Sequence, residues 1–256
     1  MRVASVLTSL FLVFAQSPSV SATSSVSRDA QALVVLQQSL LKMGTPQDVD
    51  ATGSVVTTEG STRRNGTVRI RTRGQNQTSE DFQFGSDSLE VTYSKGRALS
   101  RTSAGTRKLN VPNTLASQSA IFPAPLLASM ISNPDVTIEN LGIETLDGSQ
   151  AYHLVLTDSF RSLPDSQDFS PSTRREIWVD TASGLITQIS WRRYNGIGPA
   201  DYSIPFVARY ADYILENGVF FPHHIDISLN GTPWASIQIS SVAVNTGLTD
   251  ADFQVD

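Results

Sequence analysis

The chain has 256 residues, of which 19 are basic and 24 acidic, for a formal charge of −5. Hydrophobic residues make up 39% and charged residues only 17%, which excludes wholesale disorder, and the mild acidity argues against a nucleic-acid partner, which favours clustered Lys and Arg. There is no cysteine, so disulfides, thiolate metal sites, cysteine nucleophiles and a lipid-modified cysteine are all excluded.

Met1-Arg2 leads into a mostly apolar run from Val3 to Ala15, followed by a small-residue exit at Val20-Ser21-Ala22. That order predicts a secretory signal peptide over residues 1–22, cleaved after about Ala22. The apolar run is shorter than the roughly 20 residues of a spanning helix, and no later segment could span a bilayer. The expected product is soluble, in the periplasm or secreted, with at most peripheral membrane contact. No repeat or linker divides the rest, so residues 23–256 read as one domain.

One helix opens that domain. Ser27 or Asp29 can cap it, and Gly44 after Met43 can stop it. Leu33, Leu36, Leu40 and Met43 form a single apolar stripe, with Gln31, Gln37, Gln38 and Lys42 facing away. The period then changes to two. Val68, Ile70 and Thr72 alternate with Arg69, Arg71 and Arg73; Leu89, Val91 and Tyr93 alternate with Glu90, Thr92 and Ser94; Ile225, Ile227 and Leu229 alternate with Asp226 and Ser228. Such alternation marks half-buried antiparallel strands. Turn signals at hairpin spacing give about ten or eleven strands, in a sandwich or a barrel.

Two stretches break the pattern. Between Asn113 and Pro134, Leu126, Leu127, Met130 and Ile131 suit a short helix from near Pro125, preceded by Ile121 and Phe122. Between Ser159 and Ser172, Phe160, Leu163 and Phe169 stand among Pro, Ser and Asp, in a loop long enough to suggest function or mobility. After the last strand, Asn245-Thr246-Gly247 reads as a turn, with Leu248 and Phe253 anchoring the tail and Asp250 and Asp252 solvated.

Helix, long meander, internal apolar helices and more strands, in that order, resemble the outer-membrane lipoprotein carrier superfamily (LolA/LolB/LppX-like). The stretch from Glu176 to Ile189, with Trp178, Asp180, Ser183, Gly184 and Leu185 at its turn, and the closing stretch from Asn217 to Val255 carry most of the resemblance; the helix from Ala30 to Met43 fits too. The resemblance implies a mainly antiparallel β chain with a few helices (α+β). Its fold would be an incomplete, half-open β-barrel wrapped around the N-terminal helix and short internal lid helices, with an apolar cavity for acyl chains. No lipobox cysteine is present, so a soluble member is implied and not an anchored one. No functional residue of the family maps onto a position here.

Tests for chemistry find little. His223 and His224 are strand neighbours whose side chains point to opposite faces, which opposes chelation of one metal. No G-x-S-x-G elbow exists, and the S-x-x-K match at Ser39–Lys42 lies late in a helix. Asp165 and Asp168 are a carboxylate pair on the irregular loop. Arg69, Arg71 and Arg73 form either a solvated outer face or an anion-binding rim. Trp178, Trp191 and Trp234 read as core or as cavity lining. No catalytic residue, metal site or cofactor is expected.

The expected function is therefore an exported binding protein, a monomer, that carries or senses lipid, acyl chains or a lipidated protein. Phe122, Leu126, Leu127, Met130 and Ile131 would line or close its apolar cavity. Alternatively these residues are permanently packed, and the chain is a non-catalytic envelope interaction or scaffold module with a closed core. An enzyme ranks third.

Overall fold

The computed structural model describes residues 26–116, 121–194 and 203–255. The leader expected over residues 1–22 lies outside them.

Helix α1 (Ala30–Met43) is capped by Asp29, whose Oδ1 accepts from the Ala32 N–H at 2.8 Å. It buries Ala32, Leu36, Ser39 and Met43, with Leu33 and Leu40 half-buried beside them, as the apolar stripe requires. Gly44 ends it at φ 86, and a Cβ there would stand 2.8 Å from the Gly218 carbonyl oxygen. Backbone conformation and space both demand glycine.

The rest is built on one 13-stranded sheet with antiparallel ladders throughout. Strands β1 (Asp48–Glu59), β2 (Thr62–Arg73), β3 (Gln77–Phe84), β4 (Asp87–Ser94), β5 (Arg97–Thr102) and β6 (Gly105–Lys108) form an outward meander. The chain crosses through α2 (Val111–Ala116) and α3 (Pro123–Ser132) to the opposite edge. Strands β7 (Val136–Leu146), β8 (Ser149–Asp158), β9 (Arg175–Asp180), β10 (Ile186–Tyr194), β11 (Ser203–Glu216), β12 (Val219–Leu229) and β13 (Thr232–Val244) then meander back until β13 pairs with β1. The sheet therefore stays open, with β6 and β7 as its edges.

Among the described residues, thirteen strands exceed the ten or eleven expected. Strand β6 explains part of the shortfall: all of its residues are exposed, so it carries no alternation to read. Its shortness and its Arg107 and Lys108 also discourage pairing with another chain at that edge. At the other edge, residues just before α1 partly cover β7. The Ile138 N–H donates to the Ser27 carbonyl at 2.9 Å, and the Asp29 N–H donates to the Ile138 carbonyl at 2.8 Å.

The sheet curls. A register shift at Thr52/Gly53 bends β1 where a Cβ on Gly53 would stand 2.2 Å from the Gln238 carbonyl oxygen. Helix α1 packs against β7, β9 and β12, and α2 touches both β5 and β10, strands far apart in sheet order. The concave face carries Val68, Ile70, Phe82, Ile189, Phe221, Ile225 and Ile237, and packs with α1 and α3 into one apolar core.

Three local expectations change. Helix α3 begins at Pro123, not Pro125, because prolines are tolerated in a first turn whose N–H groups are unpaired anyway. The loop after β8 is ordered into a 3₁₀ turn (Pro164–Phe169) and α4 (Ser170–Thr173). Asp135 holds it by accepting from the Ser162 N–H at 2.7 Å and from the Ser162 hydroxyl. Asp250 and Asp252 are not simply solvated. Asp250 accepts from Arg73, Gln77 and Lys95, and Asp252 closes a capping box with Thr249 and stands 3.8 Å from Arg71.

Candidate functional site

The arginine face of β2 is paired throughout. Arg69 donates to both Asp50 oxygens, at 2.9 and 2.6 Å, Arg71 donates to Asp81 at 2.8 Å, and Arg73 pairs with Asp250. These guanidinium groups are committed to fixed carboxylates, so the outer face offers no open anion rim at this stripe. His224 points outward with Asp226, at 3.1 Å, while His223 is buried and its Nδ1 lies 3.1 Å from the Ile239 carbonyl oxygen. The two rings diverge, as their adjacency requires. Trp178 is buried but lies outside the central core. It stacks on His153 with ring centroids 4.2 Å apart and donates to Glu144. Trp191 packs in the core against Phe206, and Trp234 is half-buried at its margin. Asp165 and Asp168 are both exposed. Among the described residues, no group of three or more His, Asp or Glu is placed to hold a metal ion.

The concave side is different. Helix α3 carries no charged residue and buries Pro123, Ala124, Leu126, Leu127 and Met130. Phe122, just before it, stacks on Phe221 of β12 at 4.6 Å. A cavity of about 220 Å³ lies along one flank of α3, lined by Leu40, Pro46, Thr72, Phe122, Ala124 and Ala128 among others. A second, of about 140 Å³, lies along the other flank, lined by Leu115, Leu126, Met130, Val136, Asp158 and Arg175 among others. Of the residues expected from sequence, Phe122 lines the first cavity, and Leu126 and Met130 line the second. Leu127 is fully enclosed between them, and Ile131 is half-buried, its carbonyl accepting from Arg28 at 2.7 Å.

The helices over this side are tied to the sheet by polar contacts that the sequence did not reveal. Asn113 of α2 reads the backbone of β10: its Nδ2 donates to the Tyr194 carbonyl at 2.7 Å and its Oδ1 accepts from the Tyr194 N–H at 3.0 Å. Arg175 is enclosed, and its guanidinium donates to the carbonyl oxygens of Leu115, Arg174 and Ser172 at 2.7, 3.0 and 3.1 Å. Burial lowers its pKa to about 10, against the opposing effect of Tyr194, which leaves it a cation held by carbonyl dipoles.

Two further charged side chains face inward. Glu80 stands opposite Ile70 and Val91 in the registers of β2 and β4. Arg193 follows Ile189 and Trp191 in the inward phase of β10, its guanidinium 5.3 Å above the ring of Phe206. Burial pushes the Glu80 carboxyl up to about 7, against the opposing pull of Arg193. The signal was present in sequence: Thr78-x-Glu80-x-Phe82 and Ile189-x-Trp191-x-Arg193 each put a charge in an apolar phase.

An open antiparallel sheet curled around apolar helices, with cavities beside them, defines a half-barrel of the LolA-like type. Solved structures share the fold at low sequence identity. A putative outer membrane lipoprotein-sorting protein domain from Vibrio parahaemolyticus matches with a TM-score of 0.60 at 13% identity, over 88% of this chain and 96% of that one. A LolA superfamily protein from Nitrosomonas europaea matches with a TM-score of 0.58 at 14% identity, over 87% and 97%. A DUF1329 family protein from Desulfovibrio piger matches with a TM-score of 0.57 at 14% identity, over 88% and 96%. No protein-family model matches the chain, and no curated protein sequence matches it.

Proposed function

We propose that this chain is an exported, non-catalytic binding protein whose concave interior takes acyl chains, from a lipid or a lipidated protein, with α3 as the part that yields to admit them. The observation that carries this reading is the pair of cavities on the two flanks of α3, a helix without a single charge lying inside an unclosed sheet. At about 220 and 140 Å³, each is smaller than the roughly 300–1,000 Å³ of small-molecule sites. A chain-like ligand therefore has to displace part of α3 and join them. Phe122, Leu126 and Met130 then contact the ligand directly, while Leu127 and Ile131 move with the helix. The shared fold with a lipoprotein-sorting domain supports the same reading. The leader over residues 1–22 directs export, and residues 23–256 act as one domain. No described helix is long and apolar enough to cross a membrane.

The test is native mass spectrometry of protein recovered from the cell envelope, followed by lipid extraction. Acyl species should co-purify with the wild type and be lost in a folded Met130→Asp variant. Empty protein that also fails to bind a fluorescent fatty acid returns the chain to the closed-core scaffold reading.

A further inference from the structure

The two cavities beside α3 differ in kind. The one next to α1 is lined by no charged residue. The one on the far flank is lined by Arg175, at the start of β9, and Asp158, at the end of β8, with Leu126 and Met130 on its apolar wall. Arg175 is only 2% exposed, so its charge meets this cavity and not bulk solvent. A guanidinium has five N–H groups. The bonds to the carbonyl oxygens of Ser172, Arg174 and Leu115 use two on Nη1 and one on Nη2. The Nε–H and one Nη2–H are left without an acceptor among the described residues. No described carboxylate stands within 4.0 Å of Arg175; Glu176, the acid nearest in sequence, pairs with Arg174 at 3.0 Å. Asp158 is held on one side only. Its Oδ1 accepts from the Phe160 N–H at 2.8 Å and its Oδ2 from Asn133 Nδ2 at 2.7 Å. A carboxylate accepts about four such bonds, so half of its capacity is in reserve. A cation with unused donors and an anion with unused acceptors thus share a cavity of about 140 Å³ without pairing.

We propose that this cavity receives the headgroup of an uncharged, hydroxyl-bearing acyl ester of the monoacylglycerol type, its carbonyl oxygen accepting from Arg175 and a hydroxyl donating to Asp158. The acyl chain then runs past α3 toward the uncharged cavity. This rests on the reading of the concave interior as an acyl chamber, and it adds which end of the amphiphile lies where. A polar group taken out of water costs free energy unless it finds partners, and only one flank of α3 offers charged ones. A monoanionic head would satisfy Arg175 but would bring a second negative charge into a small, low-dielectric space with Asp158. A cationic head would meet Arg175 in the same way. An acceptor and a donor a few bonds apart, without charge, avoid both conflicts. Size points the same way, because a cavity below the usual range for small-molecule sites admits a group like glycerol and not a sugar chain.

The test is calorimetry on the mature chain with monododecanoylglycerol, dodecanol and dodecanesulfonate, each below the concentration at which it forms micelles. The glyceride should bind about tenfold or more tightly than the alcohol, as added hydrogen bonds to charged groups require. The sulfonate should bind no more tightly than the alcohol. Asp158→Asn, which keeps the shape, and Arg175→Lys, which keeps the charge without the fork, should each cut the preference for the glyceride about fivefold and leave dodecanol binding in place. The wild type supplies a second readout that does not depend on either variant folding. A photoreactive group on the glycerol should cross-link to the peptides that hold Leu115 or Thr173, and one at the end of the acyl chain to those that hold Leu40 or Thr72. Reversed labelling, tighter binding of the sulfonate than of the glyceride, or a preference unmoved in both folded variants overturns the headgroup assignment and leaves the acyl chamber standing. Failure of all three probes, alcohol included, overturns the chamber itself.

Discussion

Asp48 shows how one side chain can hold a chain terminus. It is buried, and burial alone raises its pKa. The Thr246 hydroxyl and the N–H groups of Thr246, Gly247 and Leu248 all donate to it and outweigh that effect, so its pKa is lowered below 3.8. A depressed carboxylate stabilises the fold above its unfolded pKa and ceases to do so as pH falls through the folded value. Asp48→Asn should cost about 2–3 kcal/mol at pH 7, and urea titrations should show that deficit shrinking by pH 3. A deficit independent of pH would mean that Asp48 acts by shape and not by charge. Glu80 carries the opposite sign. Its raised pKa makes it a burden once ionised, from about pH 4.5 upward through 7. Glu80→Gln should therefore gain roughly 1–3 kcal/mol over the wild type between pH 5 and pH 8. A gain that does not grow with pH would place Glu80 in ordinary solvent.

Among the elements, α1 and α3 divide the interior between them, and they were legible to different degrees. The cap, stripe and stop of α1 all lie within its own sequence, and each is where periodicity puts it. Strands with one wet face, such as β2 and β12, were equally readable, because burial of one side imprints period two. Strand β6 and α2 left no imprint: β6 is wet on both faces, and α2 is too short for a period and is fixed by Asn113 on the backbone of β10. The apolar content of α3 was plain, but its partners were not, because Phe122 meets Phe221 across nearly 100 residues of chain. Leu127 is enclosed between the two cavities, so Leu127→Ala should cost about 2–5 kcal/mol by thermal or urea unfolding. Met130→Leu, which keeps the volume, should cost under ~1.5 kcal/mol. Equal effects of the two would show that α3 lies looser in the core than its burial implies.

At the scale of the whole molecule, the openness of the sheet and the absence of cysteine act together. With no covalent tie, every element is held by packing and hydrogen bonds, and long ladders join β1 to β2 and β13 and β11 to β12. The crossover through α2 and α3 joins the two free edges and is held mainly by side chains. Local opening should therefore begin at this crossover while the central strands stay closed. Hydrogen exchange should show the amides of α2 and α3 exchanging well before those of β1 and β13. If acyl chains enter beside α3, a ligand at 100 times its dissociation constant should add about 2.7 kcal/mol of stability. For a chain of this size that is a rise in Tm of roughly 5–10 °C. Exchange at α3 should slow in the same samples, because the joined cavity is then filled. A Tm that ignores dodecanol and dodecanesulfonate alike, with α3 exchanging as slowly as β13, would mean that the helix is fixed core and that the half-barrel is closed to ligands.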